Sequence, residues 1–215
     1  MLVRVLFIAA ALLAAPTASA QQEEPPSAQE IAEARALADT IISSNSAAAF
    51  FVNKTRGAAP MVEHVASRLP CFFTGSPSDR ITIYPERGDR VPIGHDVGCS
   101  TRFSSGDIST YATDFSGSPT VRENFQGAVD AIMGRWPDAK LYAGELPDRP
   151  GAEPALAAAF LVSLDGKEMI TVLLVWDHQE WSYKLRATGP LDEAEDLIDV
   201  AAALMARIQR DVLEP

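Results

Sequence analysis

Between Ala157 and Ala187 the chain carries its strongest constraint, a strand that is apolar on both of its alternate faces. In Met169 to Trp176, one set of alternate residues is Met169, Leu173 and Val175. The other is Ile170, Val172, Leu174 and Trp176. Successive side chains on a strand point to opposite sides, so this strand needs an apolar layer above and below it. Asp165-Gly166 is a tight-turn pair that joins it to a preceding strand, Ala157 to Leu164. A third strand, Trp181 to Ala187, returns after Asp177-His178-Gln179-Glu180. There Trp181, Tyr183 and Leu185 alternate with Ser182, Lys184 and Arg186, which predicts one wet face and a place nearer the sheet edge.

The helices carry their own start signals. Ser27 with Glu30 forms a capping box, followed by Ile31, Ala34, Leu37, Ala38, Ile41 and Ile42 at helical spacing, which predicts a helix over Ala28 to Ser43. Thr120 with Glu123 repeats the device before Val121 to Arg135, where Val121, Phe125, Ala128, Val129, Ile132, Met133 and Trp136 share a face and Pro137 ends the run. Gly189-Pro190 opens a final helix, Leu191 to Val212, with acidic residues in its first turns and Arg207 and Arg210 near its end, which complements the helix dipole. Between the first two helices, short runs broken by Gly, Pro, Ser and Asp predict strands at Leu69 to Thr74, Ile81 to Tyr84, Val97 to Phe103 and Ile108 to Phe115. Ala47 to Val52 reads as a strand or a helical extension, and Met61 to Ala66 as a short helix or a strand. A further strand is expected over Lys140 to Glu145, before the loop Pro147 to Pro154.

These elements predict an α+β fold: a largely antiparallel sheet with amphipathic helices packed on its faces. The order of strands, a helix, more strands and a terminal helix resembles the small exported domains of Mog1/PsbP-like architecture. The expected organisation is a leader over 1–20, a flexible start over 21–27 and one globular domain over 28–215.

Export is expected from the N-terminus. Arg4 supplies a positive charge, Val5 to Ala15 is uncharged and apolar, and Ala18-Ser19-Ala20 is the small-x-small sequence that signal peptidase accepts. That apolar core is about half the roughly 20 residues a spanning helix needs, so cleavage after Ala20 is expected rather than a retained membrane anchor. Loss of Arg4 with the leader takes the net charge from −11 to −12. Such an acidic balance argues against nucleic acid and anionic membrane surfaces as partners. In an exported chain, two cysteines that do not form Cys-x-x-Cys, Cys71 and Cys99, predict one structural disulfide.

The reactive motifs are sparse. The sequence has no Gly-x-Ser-x-Gly, no phosphate-binding glycine loop, no His-Glu-x-x-His and no calcium loop, so no cofactor, metal site or catalytic set is expected. The weak candidates for a ligand site are His95 and Asp96, then Asp177, His178 and Glu180, with Trp181 as the tryptophan freest to stack on a ligand. Neighbours on a strand point to opposite faces, so neither His-Asp pair makes a contact by spacing alone. His64 reads as a packed or exposed polar residue. Phe73 to Arg80 and Phe115 to Arg122 form a near-repeat around Gly-Ser-Pro, which local turn chemistry explains. The expected function is that of a non-enzymatic exported module that binds an envelope protein or a small ligand. The alternative is a hydrolase or metal-dependent enzyme using His95 and Asp96, or Asp177, His178 and Glu180.

Overall fold

Both capping boxes form as the sequence dictates, and they set where the first two helices begin. In the computed structural model, which describes residues 25–85, 91–115, 120–146, 151 and 153–214, Ser27 caps α1 (Ala28–Ser44) and Thr120 caps α2 (Val121–Arg135). In each, the hydroxyl accepts from the third helical N–H while the glutamate carboxylate accepts from the cap's own N–H. The expected leader and the Gly117-Ser118-Pro119 of the near-repeat lie outside the described residues.

The fold is α+β. A seven-stranded antiparallel sheet has the order β4-β5-β6-β10-β9-β8-β7, and a three-stranded antiparallel sheet has the order β1-β2-β3. The small sheet comprises β1 (Phe51–Asn53), β2 (Met61–His64) and β3 (Pro70–Phe72). The large one comprises β4 (Arg80–Ile83), β5 (Asp96–Phe103), β6 (Gly106–Asp114), β7 (Lys140–Leu141), β8 (Leu156–Leu164), β9 (Lys167–His178) and β10 (Trp181–Pro190). Met61–His64 is thus a strand rather than a helix, because β1 and β3 pair with it on both sides. The β8–β9 hairpin turns on Asp165 and Gly166 at φ of 51° and 77°, the left-handed pair that suits the twist of two antiparallel strands.

Three sequence expectations are corrected. β10 is not near an edge: it sits in the middle of the sheet, paired with β9 and β6, and its wet face is wet because no helix covers it there. It also runs past Ala187 to Pro190, since β9 still offers Met169 as partner, and α3 (Ala194–Leu213) begins only after a short 3-10 turn. The strand expected over Lys140 to Glu145 shrinks to two residues, those that find Leu161 and Phe160 on the β8 edge.

The large sheet separates two unequal apolar layers. On one side, α1, α3 and the small sheet bury Ala38, Phe51, Leu69, Phe73, Leu197, Met205 and Ile208 against Ile81, Val97, Ile108, Leu174, Trp176, Tyr183 and Leu185. The Cys71–Cys99 disulfide ties β3 to β5 across that layer, with the Cα atoms 5.9 Å apart. Closure of a loop this long stabilises by about 3–4 kcal/mol in the chain-entropy account. On the other side α2 covers only β8 and β9, burying Ile132, Ala158, Phe160, Val162, Leu173 and Val175. Ile132 is the one α2 residue in that layer that is fully buried, and Met133 is exposed, so the helix lies lightly on its sheet. Beyond β9, among the described residues, that apolar layer does not extend over the same face of β10, β6, β5 and β4, where Asp96 and Ser182 are buried and Lys184 and Arg186 are half-buried.

Candidate functional site

The uncovered part of the α2 face is where polar side chains gather. Sheet register puts Thr82, Gly98, Tyr111, Lys184 and Val175 in one row across β4, β5, β6, β10 and β9. The next row holds Arg80, Ser100, Ser109, Arg186 and Leu173. Each row runs from polar residues at the open edge to an apolar residue beneath α2. A cleft of about 340 Å3 follows this boundary, floored by Tyr111, Lys184, Arg186 and Leu173 and walled by Tyr84 and by Ala128, Ala131 and Ile132 of α2. A second cleft of about 300 Å3 continues it toward Arg80, Ser100, Ser109, Arg135 and Trp136, and Arg186 lines both.

The geometry of the first cleft depends on Gly98. A Cβ there would lie 2.8 Å from Cδ1 of Tyr111, so the absent side chain is what lets the Tyr111 ring lie across β5. Above that ring stands the Lys184 ammonium, 4.5 Å from the centroid, a cation–π contact that holds the charge over the cleft. Tyr84 faces Tyr111 at 6.3 Å. Its phenol is pushed up to about 12, chiefly by burial and secondarily by Tyr111 and Asp96, with the Arg186 guanidinium pulling the other way. Tyr84 therefore stays protonated at neutral pH and can donate a hydrogen bond. Across the second cleft, Arg135 lies 4.8 Å over the Trp136 ring, while Arg102 is held bidentate by Asp107 at 2.7 and 2.8 Å.

The residues singled out in the sequence divide between the two faces, as strand alternation requires. Asp96 and Asp177 lie on the α2 face. Asp96 is buried and accepts from Thr113 Oγ1 at 2.9 Å at the end of the cleft. Asp177 has its carboxyl raised by burial, with Ser182 and Asn124 pulling it back. His95, His178 and Trp181 lie at the end of the core face. Trp181 stacks on His95 at 5.7 Å and edges onto His64 at 5.5 Å, while His178 stacks on Trp176 at 5.5 Å. Glu180 sits exposed in the β9–β10 turn. The structure thus joins His95 to Trp181 and leaves each histidine apart from the aspartate beside it in sequence.

Two partners were not legible in the sequence. Asp114, on β6, places Oδ2 2.9 Å from Nδ1 of His95 because the β5–β6 pairing sets them side by side, with the Asp114 N–H donating to the His95 carbonyl at 2.8 Å. Ser67 lies 2.8 Å from Nδ1 of His64, and its own N–H donates to the same nitrogen at 3.2 Å. That fixes Nδ1 as an acceptor and puts the ring proton on Nε2, toward the Gly94 carbonyl. His64 and Ser67 are 1% and 2% exposed, so this serine-histidine contact is sealed from any substrate. Burial also takes His64 down to about 4, with His95 adding to the drop. His95 and Asp114 are more accessible, but the ring contact of this dyad is Trp181, which supplies no nucleophile. No group of three His, Cys, Asp or Glu side chains suited to a metal exists among the described residues. Among the same residues, no helix is long and apolar enough to cross a membrane.

No protein-family model matches the sequence, and no curated protein matches it. Among solved structures, the chain is similar to a Pseudomonas aeruginosa protein of unknown function, at 9% identity over 68% of this chain and 88% of that one, with a TM-score of 0.37. It is also similar to LpqN, involved in cell envelope biogenesis of Mycobacterium tuberculosis, at 18% identity over 63% and 85% of the two chains, with a TM-score of 0.31. A Bacteroides thetaiotaomicron protein matches at 12% identity over 55% of this chain and 40% of that one, with a TM-score of 0.28. Overlap at this level assigns neither family nor activity.

Proposed function

We propose that the chain is an exported binding module, periplasmic or secreted, that holds a small ligand in the cleft between α2 and the open half of the large sheet. The observation that carries the reading is the half-covered sheet face. Cover stops at β9, and the uncovered strands present ordered aromatic and cationic groups beside an apolar wall. Ligand sites are concave, partly apolar and supplied with a few fixed polar groups, a description this cleft meets at the small end of the usual range. Export is supported by the Cys71–Cys99 disulfide, a bond that persists in oxidising compartments, and by the leader-like sequence before Gln21. Binding is preferred to catalysis because, among the described residues, the Ser67–His64 contact is sealed and the more accessible His95–Asp114 dyad meets no nucleophile in Trp181.

A thermal-shift screen of small molecules against the oxidised protein tests this, run in parallel on Ala131→Trp, which fills the mouth of the cleft from an exposed position on α2. Compounds that raise the melting temperature of the wild type but not of the variant support the reading. A screen with no stabilising compound, or one in which both proteins respond alike, defeats it. Capture of an envelope protein that Ala131→Trp does not weaken would move the function to another surface.

A further inference from the structure

The cleft's lining runs against the charge of the whole chain. The protein carries a net charge of −11, yet among the described residues Arg80, Arg102, Arg135, Lys184 and Arg186 line the two clefts against two carboxylates, Asp96 and Asp107. Both carboxylates are engaged, Asp96 by Thr113 and Asp107 by Arg102. Arg186 is half-buried at the junction of the clefts, and among the described residues no carboxylate forms an ion pair with it. A half-buried guanidinium on a sheet face is poorly hydrated and matches a carboxylate or phosphate in a bidentate fashion.

Resting on the binding reading above, we infer that the cleft takes a small organic oxyanion, a carboxylate or phosphate carried on an apolar or aromatic body. Arg186 and Lys184 receive the oxyanion, beside the Tyr84 and Tyr111 rings. The body lies against Phe115, Ala128 and Ala131, partly exposed surfaces that a bare inorganic ion would leave uncovered. The chain's negative field repels extended polyanions, so the charge recognised is a local one on a small molecule.

The test titrates the oxidised, isotope-labelled protein with phenyl phosphate, benzoate, benzyl alcohol and inorganic phosphate, following backbone amide resonances. Saturable shifts at Gly98, Tyr111 and Arg186 are expected with phenyl phosphate and benzoate. The neutral alcohol and the bare phosphate should bind at least about tenfold more weakly. Arg186→Met and Lys184→Met should each weaken phenyl phosphate by about tenfold, with Arg186→Lys retaining part of the affinity. Unchanged melting temperatures of the two methionine variants tie the loss to the site. Benzyl alcohol binding in the cleft as tightly as phenyl phosphate overturns the oxyanion and leaves the binding module standing. Phenyl phosphate affinity unchanged in both methionine variants overturns it also, as does the lack of any saturable shift up to about 10 mM. If, in addition, Ala131→Trp leaves the library response intact, the binding reading falls with it.

Discussion

The two faces of the large sheet are built from the same strands and end in opposite states. On β10, Trp181, Tyr183, Leu185 and Ala187 turn toward α1, α3 and the small sheet, while Lys184, Arg186 and Thr188 turn toward the cleft. The core face is closed by two helices and a second sheet and is pinned by a disulfide. The other face has one helix, and that helix reaches only β8 and β9. The lesson is a division of labour by alternation. One set of residues secures the fold, and the intervening set stands outside that core, on the side where the proposed ligand would sit.

The largest effect that should separate the faces is a truncation on the closed side. Trp176 is 1% exposed, packs at 4.9 Å against Tyr183 and donates from Nε1 to Glu153 at 2.8 Å. Trp176→Ala should cost about 3–5 kcal/mol in urea unfolding. A loss under about 1 kcal/mol would mean that the closed face does not carry the fold.

A second prediction concerns pH. His64, on the core side, has its folded value depressed from 6.5 to about 4, so the unfolded chain binds a proton that the folded chain does not. Stability from this group is therefore full above about 6.5 and is lost as pH falls toward 4, by up to about 3 kcal/mol. Asp177, on the α2 face, acts with the opposite sign: its carboxyl is raised, so acid relieves a cost of burial. Urea midpoints at neutral and at mildly acidic pH should fall for the wild type and much less for His64→Asn. Equal falls in both proteins would contradict the assignment.

The smallest effect belongs to the open face. Gly98→Ala puts a Cβ against the Tyr111 ring and within 3.2 Å of the Thr110 carbonyl, so the ring must move. The expected loss of stability is about 1–2 kcal/mol, with a rearranged cleft visible as shifted Tyr111 and Lys184 resonances. A variant with unmoved Tyr111 signals would show that the glycine is not what seats the ring.

How far the sequence reveals this architecture depends on the range of each signal. Capping boxes act within four residues, and both helices that carry one begin where Ser27 and Thr120 place them. The double apolar alternation of Met169 to Trp176 correctly implied layers on both sides, and the wet face of β10 was readable from Lys184 and Arg186. Its meaning was not. A wet face suggested an edge, whereas the strand is central and merely lacks a helix above it, a fact fixed by how far α2 extends. Tyr84 and Tyr111 both fell in expected strands, yet their meeting with Arg186 needs β6 to pair with β10 some seventy residues away. Asp114 was hidden beside His95 because their meeting depends on the register of the β5–β6 pair, which brings together residues 19 apart. The histidine-acid neighbours that stand out in sequence were separated by the pleat that makes neighbours diverge.

The most direct measurement exploits two consecutive residues on β10 that point to opposite faces, Leu185 and Arg186. Unfolding free energy and phenyl phosphate affinity would be measured together for Leu185→Ala and Arg186→Met. Leu185 is fully buried, so its truncation should cost about 2–5 kcal/mol and leave affinity within about twofold. Arg186→Met should keep stability within about 0.5 kcal/mol and weaken binding about tenfold. Stability and affinity falling together in both variants would contradict a sheet whose faces divide folding from recognition.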